Sequence, residues 1–234
     1  MSLNANESKN TGKGFKAPLL KVDGYLGRIV QVIDLGKQEQ RAFEGKPKDP
    51  AYEIMLTYEL GTEFMVDENG EVQKDKPRFL TENFALYPPT QDKAKSTKRY
   101  ASFDPANEHK GNFAKMVNLP VMIGVGHKDG TGKRAGTKVE KILTVSLCPS
   151  MFADKVPQLI NEALVFDFDN PDLAVFKKLA PWVQEKIMKG LTYPGSILAK
   201  ALGADYKPTR DKPEDKVVVP AAPVQANSDD DQPF

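Results

Sequence analysis

The middle of the chain alternates between hydrophobic and polar residues with the period of two that is typical of β-strands. Five segments show this pattern between turn residues: 19–35, 51–60, 78–87, 119–126 and 137–147. In the second segment one face carries only large apolar side chains, which the pattern assigns to the core: Tyr52, Ile54, Leu56, Tyr58 and Leu60. The opposite face, with Glu53, Thr57 and Glu59, is expected to face solvent.

Turn residues and spacing indicate how these strands are connected. Asp67-Glu68-Asn69-Gly70 ends in Asn-Gly, a strong hairpin signal, so the second and third strands are predicted to run antiparallel. Residues 88–118 separate the third strand from the fourth and include a helix-compatible stretch at 112–117. Three meandering strands, a helical insert and a two-stranded hairpin follow one another in the Greek-key OB barrel. The sequence therefore predicts a mainly β protein built on a five-stranded Greek-key OB barrel.

Helical spacing follows the last strand. Pro171-Asp172 is predicted to begin one helix, and residues 195–202 to form a second that Gly203 ends. These helices are expected to pack on the barrel. The predicted organisation is a flexible N-terminal arm at 1–18, the OB barrel at 19–147, a helical extension at 148–206 and a disordered acidic tail at 207–234.

Charge is balanced over the whole chain but not along it. The 234 residues carry 33 Lys and Arg against 32 Asp and Glu, a net charge of +1. Residues 93–141 hold eleven bases against four acids, a balance of +7, whereas 211–234 hold six acids against two lysines, a balance of −4. Binding to a polyanion is therefore expected to use the basic half of the barrel.

Several classes of protein are disfavoured by the composition. No stretch approaches the ~18 apolar residues of a transmembrane helix, and the start is polar, so a cytoplasmic protein without membrane association is expected. One cysteine and two histidines argue against an internal disulfide and a structural zinc site. The glycine-rich segment 124–136 fits neither the P-loop nor the dinucleotide-binding pattern.

No catalytic group stands out. Cys148 has no paired histidine to activate it. Glu53 and Glu59 on one strand face suggest magnesium, but a solvent-facing strand accounts for them. A helix N-terminus accounts in the same way for the cluster Asp167, Asp169 and Asp172. The sequence therefore predicts a protein that is not an enzyme and that uses no cofactor and no metal.

Aromatic residues lie among the cations of the barrel. This combination suits single-stranded nucleic acid, because unpaired bases stack on rings while cations neutralise phosphates; the alternative for each ring is a place in the core. The candidate stacking residues are Phe43, Phe79 and Tyr87. The candidate phosphate contacts are Arg28, Lys46, Arg78, Lys98, Arg99, Lys133, Arg134 and Lys138. The predicted function is to coat single-stranded DNA without strong sequence preference.

The last six residues, Asp-Asp-Asp-Gln-Pro-Phe, resemble the acidic tip of bacterial single-stranded-DNA-binding proteins, which reads Asp-Asp-Asp-Ile-Pro-Phe. A ring with aspartates suits an apolar pocket that has a basic rim. The resemblance implies recruitment of replication or repair proteins, such as a polymerase, helicase, primase or nuclease, through Asp229, Asp230, Asp231, Pro233 and Phe234. The charge of the tail also predicts that it competes with DNA for the basic half of the barrel.

A second, diffuse resemblance is to phage-encoded single-stranded-DNA-binding proteins with an OB core. It rests on segments 33–36 (Ile-Asp-Leu-Gly), 56–60 (Leu-Thr-Tyr-Glu-Leu), 119–121 (Leu-Pro-Val) and 181–186 (Pro-Trp-Val-Gln-Glu-Lys). It implies a part in phage DNA replication, recombination or repair, in the cytoplasm of an infected bacterium. Two other functions stay open: a mediator of strand annealing or recombination, and an adaptor whose OB barrel binds an acidic protein.

Overall fold

The computed structural model describes residues 17–43 and 45–209, without the side chains of Phe43 and Lys133. The predicted N-terminal arm lies outside the described residues as far as residue 16, and the predicted tail does so from residue 210 onward. The same holds for the candidate partner-binding residues of the tail: Asp229, Asp230, Asp231, Pro233 and Phe234. These features stay predictions.

Six strands and five helices make up the regular structure of the described residues. The strands are β1 (Asp23–Phe43), β2 (Lys46–Val66), β3 (Val72–Ala85), β4 (Pro120–Asp129), β5 (Lys138–Leu147) and β6 (Leu164–Phe166). The helices are α1 (Lys95–Phe103), α2 (Ser150–Ala153), α3 (Leu173–Lys178), α4 (Pro181–Met188) and α5 (Ile197–Leu202), with 3₁₀ turns at Phe113–Met116 and Gly132–Arg134. All five predicted strands are present.

The strands form one sheet in the order β3-β2-β1-β4-β5, in which each neighbouring pair is antiparallel. β6 lies off this path and pairs in parallel with residues 31–33 of β1. The prediction of a mainly β protein is confirmed. The closed barrel is not confirmed, because the outermost strands β3 and β5 do not pair and the sheet stays open.

β1 is long because it pairs with three other strands. One edge pairs with β4 at residues 23–28 and then with β6 at 31–33, while the other edge pairs with β2 from Gly27 to Phe43. Gly27 allows β1 to approach β2 closely, since a Cβ there would lie 2.5 Å from the carbonyl oxygen of Glu59. β1 is therefore the strand around which the sheet is assembled.

A segment before β1, residues 17–22, connects β3 to β5; we call it the strap. Arg78 of β3 donates to the carbonyl oxygen of Pro18 and, at 2.8 and 3.0 Å, to both carboxylate oxygens of Glu140 on β5. Glu140 also accepts from the N–H of Leu20 at 2.8 Å. The Leu20 side chain is only 4% exposed and belongs to the core. Side-chain bonds thus span a gap that no strand pairing closes.

Helix α1 spans the same gap further along. Its Arg99 donates to the carboxylate of Glu82 on β3 at 2.8 and 3.1 Å, and the hydroxyl of its Ser102 donates to the carbonyl of Val145 on β5 at 2.9 Å. The sequence pattern does not single out α1, because the helix is short and mostly polar, and Phe103 is its one large side chain that is fully buried. Polar bonds with both outer strands, together with the buried Phe103, therefore fix the position of α1.

The predicted turn between β2 and β3 is confirmed. The Asp67 carboxylate accepts the N–H groups of Asn69 and Glu71, each at 2.9 Å. Gly70 has a φ of 85°, in the left-handed region that a residue without a Cβ enters at no steric cost.

Two hydrophobic clusters lie on opposite faces of the sheet, because successive strand residues point to opposite sides. The inner cluster lies among β1–β5 and α1 and includes Ile29, Val32, Leu56, Tyr58, Leu80, Phe103 and Ile123. The outer cluster joins β1 and β2 to the helical extension and includes Ile33, Leu35, Met55, Phe166, Phe176, Val183, Ile187 and Leu198. The helical extension is thus packed on the outer face of the sheet.

This packing contradicts the solvent-facing assignment on β2. Glu53, Thr57 and Glu59 are 8%, 0% and 2% exposed. Alternation separates the two faces of a strand correctly, but it does not reveal that a later segment of the chain covers the polar face. The expectation that this face is open to solvent is therefore wrong.

The predicted helix signals in the extension are confirmed. The Asp172 carboxylate caps α3 by accepting from the N–H of Ala174 at 2.7 Å, and α5 ends at Gly203, whose φ is 79°. The helical run that follows Asp172 is divided into α3 and α4 at Pro181, because the residue before a proline disfavours the helical conformation.

Candidate functional site

The outer face of β2 is closed by the chain's own helical extension. The Glu59 carboxylate accepts the N–H of Ile160 at 2.6 Å and both the N–H and the side-chain amide of Asn161, at 3.2 and 2.8 Å. The Glu53 carboxylate accepts from Lys186 of α4 at 2.6 Å. The two carboxylates considered for a metal are therefore bonded to the extension.

Arg28 of β1, a predicted phosphate contact, holds the extension where it crosses β2. Its guanidinium donates to the carbonyls of Pro157 and Asn118, each at 2.9 Å, and of Val156 at 3.3 Å. The crossing is tight, since a Cβ on Gly61 of β2 would lie 2.6 Å from the Pro157 ring. The guanidinium of Arg28 is therefore bonded within the chain.

Arg78 and Arg99, two further predicted phosphate contacts, form ion pairs with little exposure. Arg78 is buried against Glu140, and Arg99 bonds to Glu82 from the side of α1. Both arginines connect elements at the edges of the sheet. The geometry therefore gives them a structural role and does not support a contact with phosphate.

Glu82 is the most deeply buried of these charged groups. Tyr58 donates to its carboxylate at 2.6 Å, and Lys95 lies 3.1 Å from it on the other side. Burial by itself would raise the pKa of Glu82, yet Arg99 and Lys95 hold that pKa below its ordinary value. Burial and the neighbouring Glu82 charge raise the pKa of Tyr58 well above its ordinary value. The carboxylate is thus ionised and the phenol is neutral.

The other described cations among the candidates are exposed: Lys46, Lys98, Arg134 and Lys138. Lys138 lies 2.6 Å from Asp129, but both side chains are largely exposed and such a pair binds weakly. Three of these cations lie at the two ends of β1. Lys46 lies beside the last residue of β1, whereas Arg134 and Lys138 belong to the hairpin beyond its first residue.

The predicted aromatic residues are not freely exposed rings where they are described. Phe79 and Tyr87 are half-buried, and the N–H of Tyr87 donates to the Ser96 hydroxyl of α1 at 3.0 Å. The side chains of Phe43 and Lys133 lie outside the described part of the chain. Stacking at these positions stays a prediction.

Tyr52 is the one exposed Phe, Tyr or Trp side chain in the described part of the chain, with 50% of its surface exposed. Its assignment to the core is wrong, because the inner cluster ends at Ile54 while β2 continues beyond it. The signal that sequence reasoning missed is the length of the β1–β2 hairpin, which carries Tyr52 past the end of the core.

Tyr52 lies where three elements meet. It is the direct partner of Lys37 on β1, and its carbonyl accepts the N–H of Leu86 at 2.7 Å. The next residue, Tyr87, bonds to Ser96 of α1. We call Tyr52 and its strand partner Lys37 the Tyr52 platform.

Residues 17–43 and 45–209 were compared with two further features, a metal site and a membrane-spanning helix. No group of three His, Cys, Asp or Glu side chains there could hold a metal ion. None of the helices described there is long and apolar enough to cross a membrane.

A scan against protein-family models finds no matching family, and searches of curated proteins and of solved structures find no significant match.

Proposed function

We propose that the protein binds single-stranded DNA without strong sequence preference, through a barrel of the OB type. The observation that carries this proposal is the connectivity of the sheet. The order β3-β2-β1-β4-β5, with a helix between β3 and β4, is that of an OB barrel opened between its third and fifth strands.

Contacts across the opening support a barrel arrangement of the open sheet. The Arg78–Glu140 ion pair joins β3 to β5 at the strap, and α1 bonds to Glu82 and Val145 further along. The two outer strands are therefore held near each other by side chains and by a helix. OB barrels are themselves only partly closed.

Charge and ring exposure support an unpaired polyanion as the ligand. Lys46, Lys98 and Arg134 are exposed cations, and Tyr52 offers an open ring. Stacking of a base on an aromatic ring contributes about 1–3 kcal/mol, and duplex DNA hides the base faces that such a ring requires. The combination favours single strands over duplexes.

The resemblance of residues 229–234 to the tip of bacterial single-stranded-DNA-binding proteins supports a second part of the proposal. We propose that this tip recruits replication or repair proteins to the coated strand, in the replication, recombination or repair of phage DNA. The residues concerned lie outside the described part of the chain, so this part rests on sequence alone.

The test is a fluorescence anisotropy titration of labelled oligo(dT) at several salt concentrations, with duplex DNA of equal length as competitor. We expect a preference for the single strand, with log affinity falling by about 0.7 per phosphate contact for each log unit of salt. Lys98→Gln, an exposed lysine on α1, should reduce that slope, while Lys200→Gln, an exposed lysine on α5, serves as the matched control. Absence of binding, or equal binding to duplex, would overturn the proposal.

A further inference from the structure

The structure points to a route for the DNA that avoids the covered outer face of β2. We infer that the single strand crosses the protein at the Tyr52 platform, where a base stacks on the ring of Tyr52. This inference rests on the proposed function, since it names the surface that performs it.

The first step is that the outer face of β2 is held shut. Ile33, Leu35 and Met55 of the sheet are each at most 2% exposed beneath the extension. β6 adds strand pairing with β1, and Glu59 accepts three hydrogen bonds from residues 160 and 161. Opening this face would expose buried apolar surface and would leave a carboxylate without its hydrogen-bond partners. Both changes cost free energy. The outer face of β2 is therefore not available to a ligand.

The second step is that Tyr52 is half exposed and has a lysine as its strand partner. Lys37 lies directly opposite on β1, and the side chains of such cross-strand partners lie on the same face of the sheet. The neighbouring acid, Glu53, points to the opposite face and is paired with Lys186. An exposed ring with a lysine across the strand pair matches a base with its phosphate.

The third step is that the elements on either side of the platform each carry an exposed lysine. α1, which is bonded to Tyr87, carries the exposed Lys98. The β1–β2 hairpin that extends past Tyr52 carries Lys46. A strand stacked on Tyr52 thus has cations available in both directions, which complements the negative charge of its backbone.

The test compares variants of the full chain in oligo(dT) titrations. Tyr52→Ala should weaken binding about tenfold, while Tyr52→Phe, which keeps the ring, should bind as the wild type does. Leu143→Ala is the matched control, because Leu143 is 54% exposed on β5 at the other end of the sheet and should have no effect. Lys37→Gln should lower the salt slope by about 0.7, and Tyr52→Ala should leave it unchanged.

A second measurement is independent of any variant. Oligo(dT) in which single positions carry 5-iodouracil is crosslinked by ultraviolet light to the wild-type protein, and the attached residue is found by mass spectrometry. We expect attachment at Tyr52, because the photoreaction favours a stacked aromatic ring.

The outcomes separate this inference from the proposed function. A wild-type protein that does not bind oligo(dT) overturns the proposed function. Binding that is unchanged in Tyr52→Ala, or crosslinks confined to residues outside the Tyr52 platform, overturns the route and leaves the function standing. Since Tyr52 is exposed, Tyr52→Ala should melt at the wild-type temperature, so that weakened binding reports a lost contact.

Discussion

Glu82 shows how one ionised group fixes three elements at once. It lies on β3, it accepts from Tyr58 of β2, and it pairs with Arg99 and Lys95 of α1. A desolvated carboxylate is tolerated only where such partners compensate its charge. Because its pKa is lowered in the folded protein, Glu82 contributes stability above its ordinary pKa, and this contribution is lost as pH falls through the lowered value.

We expect Glu82→Gln to lower the free energy of unfolding by about 3 kcal/mol at neutral pH, because two cations then lose their buried counter-charge. The loss should shrink as the pH falls, since the wild-type carboxylate is itself protonated there. Urea denaturation at a series of pH values measures both effects. Glu68→Gln, in the exposed turn after β2, is the control and should match the wild type.

Individual residues also show where sequence reasoning reaches its limit. The alternation on β2 separates Leu56 and Tyr58 from Thr57 and Glu59, and that separation is correct. Alternation does not show where the core ends along a strand, and Tyr52 is misassigned for this reason. Arg28 shows a similar limit, because it bonds to carbonyls about 130 residues away that no local sequence pattern reveals.

At the scale of elements, the strap links the two outer strands β3 and β5, which do not pair with each other. Its Leu20 fills the inner core, and its backbone is bonded by Glu140 of β5 and by the ring of His127 on β4, which lies 2.6 Å from the Leu20 carbonyl oxygen. Deleting a buried leucine side chain costs 2–5 kcal/mol.

Two adjacent leucines of the strap allow a matched comparison. We expect Leu20→Ala to destabilise the protein by about 3 kcal/mol, because it opens a cavity in the inner cluster. Leu19→Ala should change stability by less than about 0.5 kcal/mol, since Leu19 is 49% exposed. Chemical denaturation of both variants decides; equal effects would mean that the strap is not docked in solution.

Elements differ in how well the sequence predicts them. The five long strands and α3 and α5 carry their own signals, in alternation, in the Asn-Gly turn and in caps such as Asp172. β6 has three residues and α1 has two buried ones, so neither holds a pattern long enough to stand out. Their positions come from partners far along the chain.

At the scale of the whole molecule, the sheet and the helical extension share a single strand. β1 contributes Val32 to the inner cluster and the adjacent Ile33 to the outer one. Neither cluster can loosen without displacing the strand that carries the other, so both should melt in one cooperative transition.

The crossing of the extension over β2 provides a test of this coupling. Gly61→Ala should destabilise the protein by about 1–3 kcal/mol, because the new Cβ would collide with the Pro157 ring. Limited proteolysis should then cut more readily near residues 154–162. Gly24→Ala is the matched control, because a Cβ at Gly24 meets nothing within 4 Å. If both glycine variants behave alike, the extension is not tightly seated.

The opposite charges of the two regions lead to a prediction at this scale. Deleting residues 229–234 removes three aspartates from a chain whose residues 93–141 have a balance of +7. We expect tighter oligo(dT) binding at low salt and little change at high salt, where exposed charges are screened. Replacing the three aspartates by asparagine should have the same effect as the deletion. Unchanged or weaker binding at low salt would contradict competition by the tail.

The strap has a consequence for how the chain folds during its synthesis. It precedes every strand in the sequence, yet the groups that bind it, on Arg78, His127 and Glu140, lie 60, 107 and 120 residues after their partners. A ribosome therefore releases the strap long before its site exists. Because contacts of large sequence separation form slowly, docking of the strap should be among the last steps, completed only after β5 has been translated.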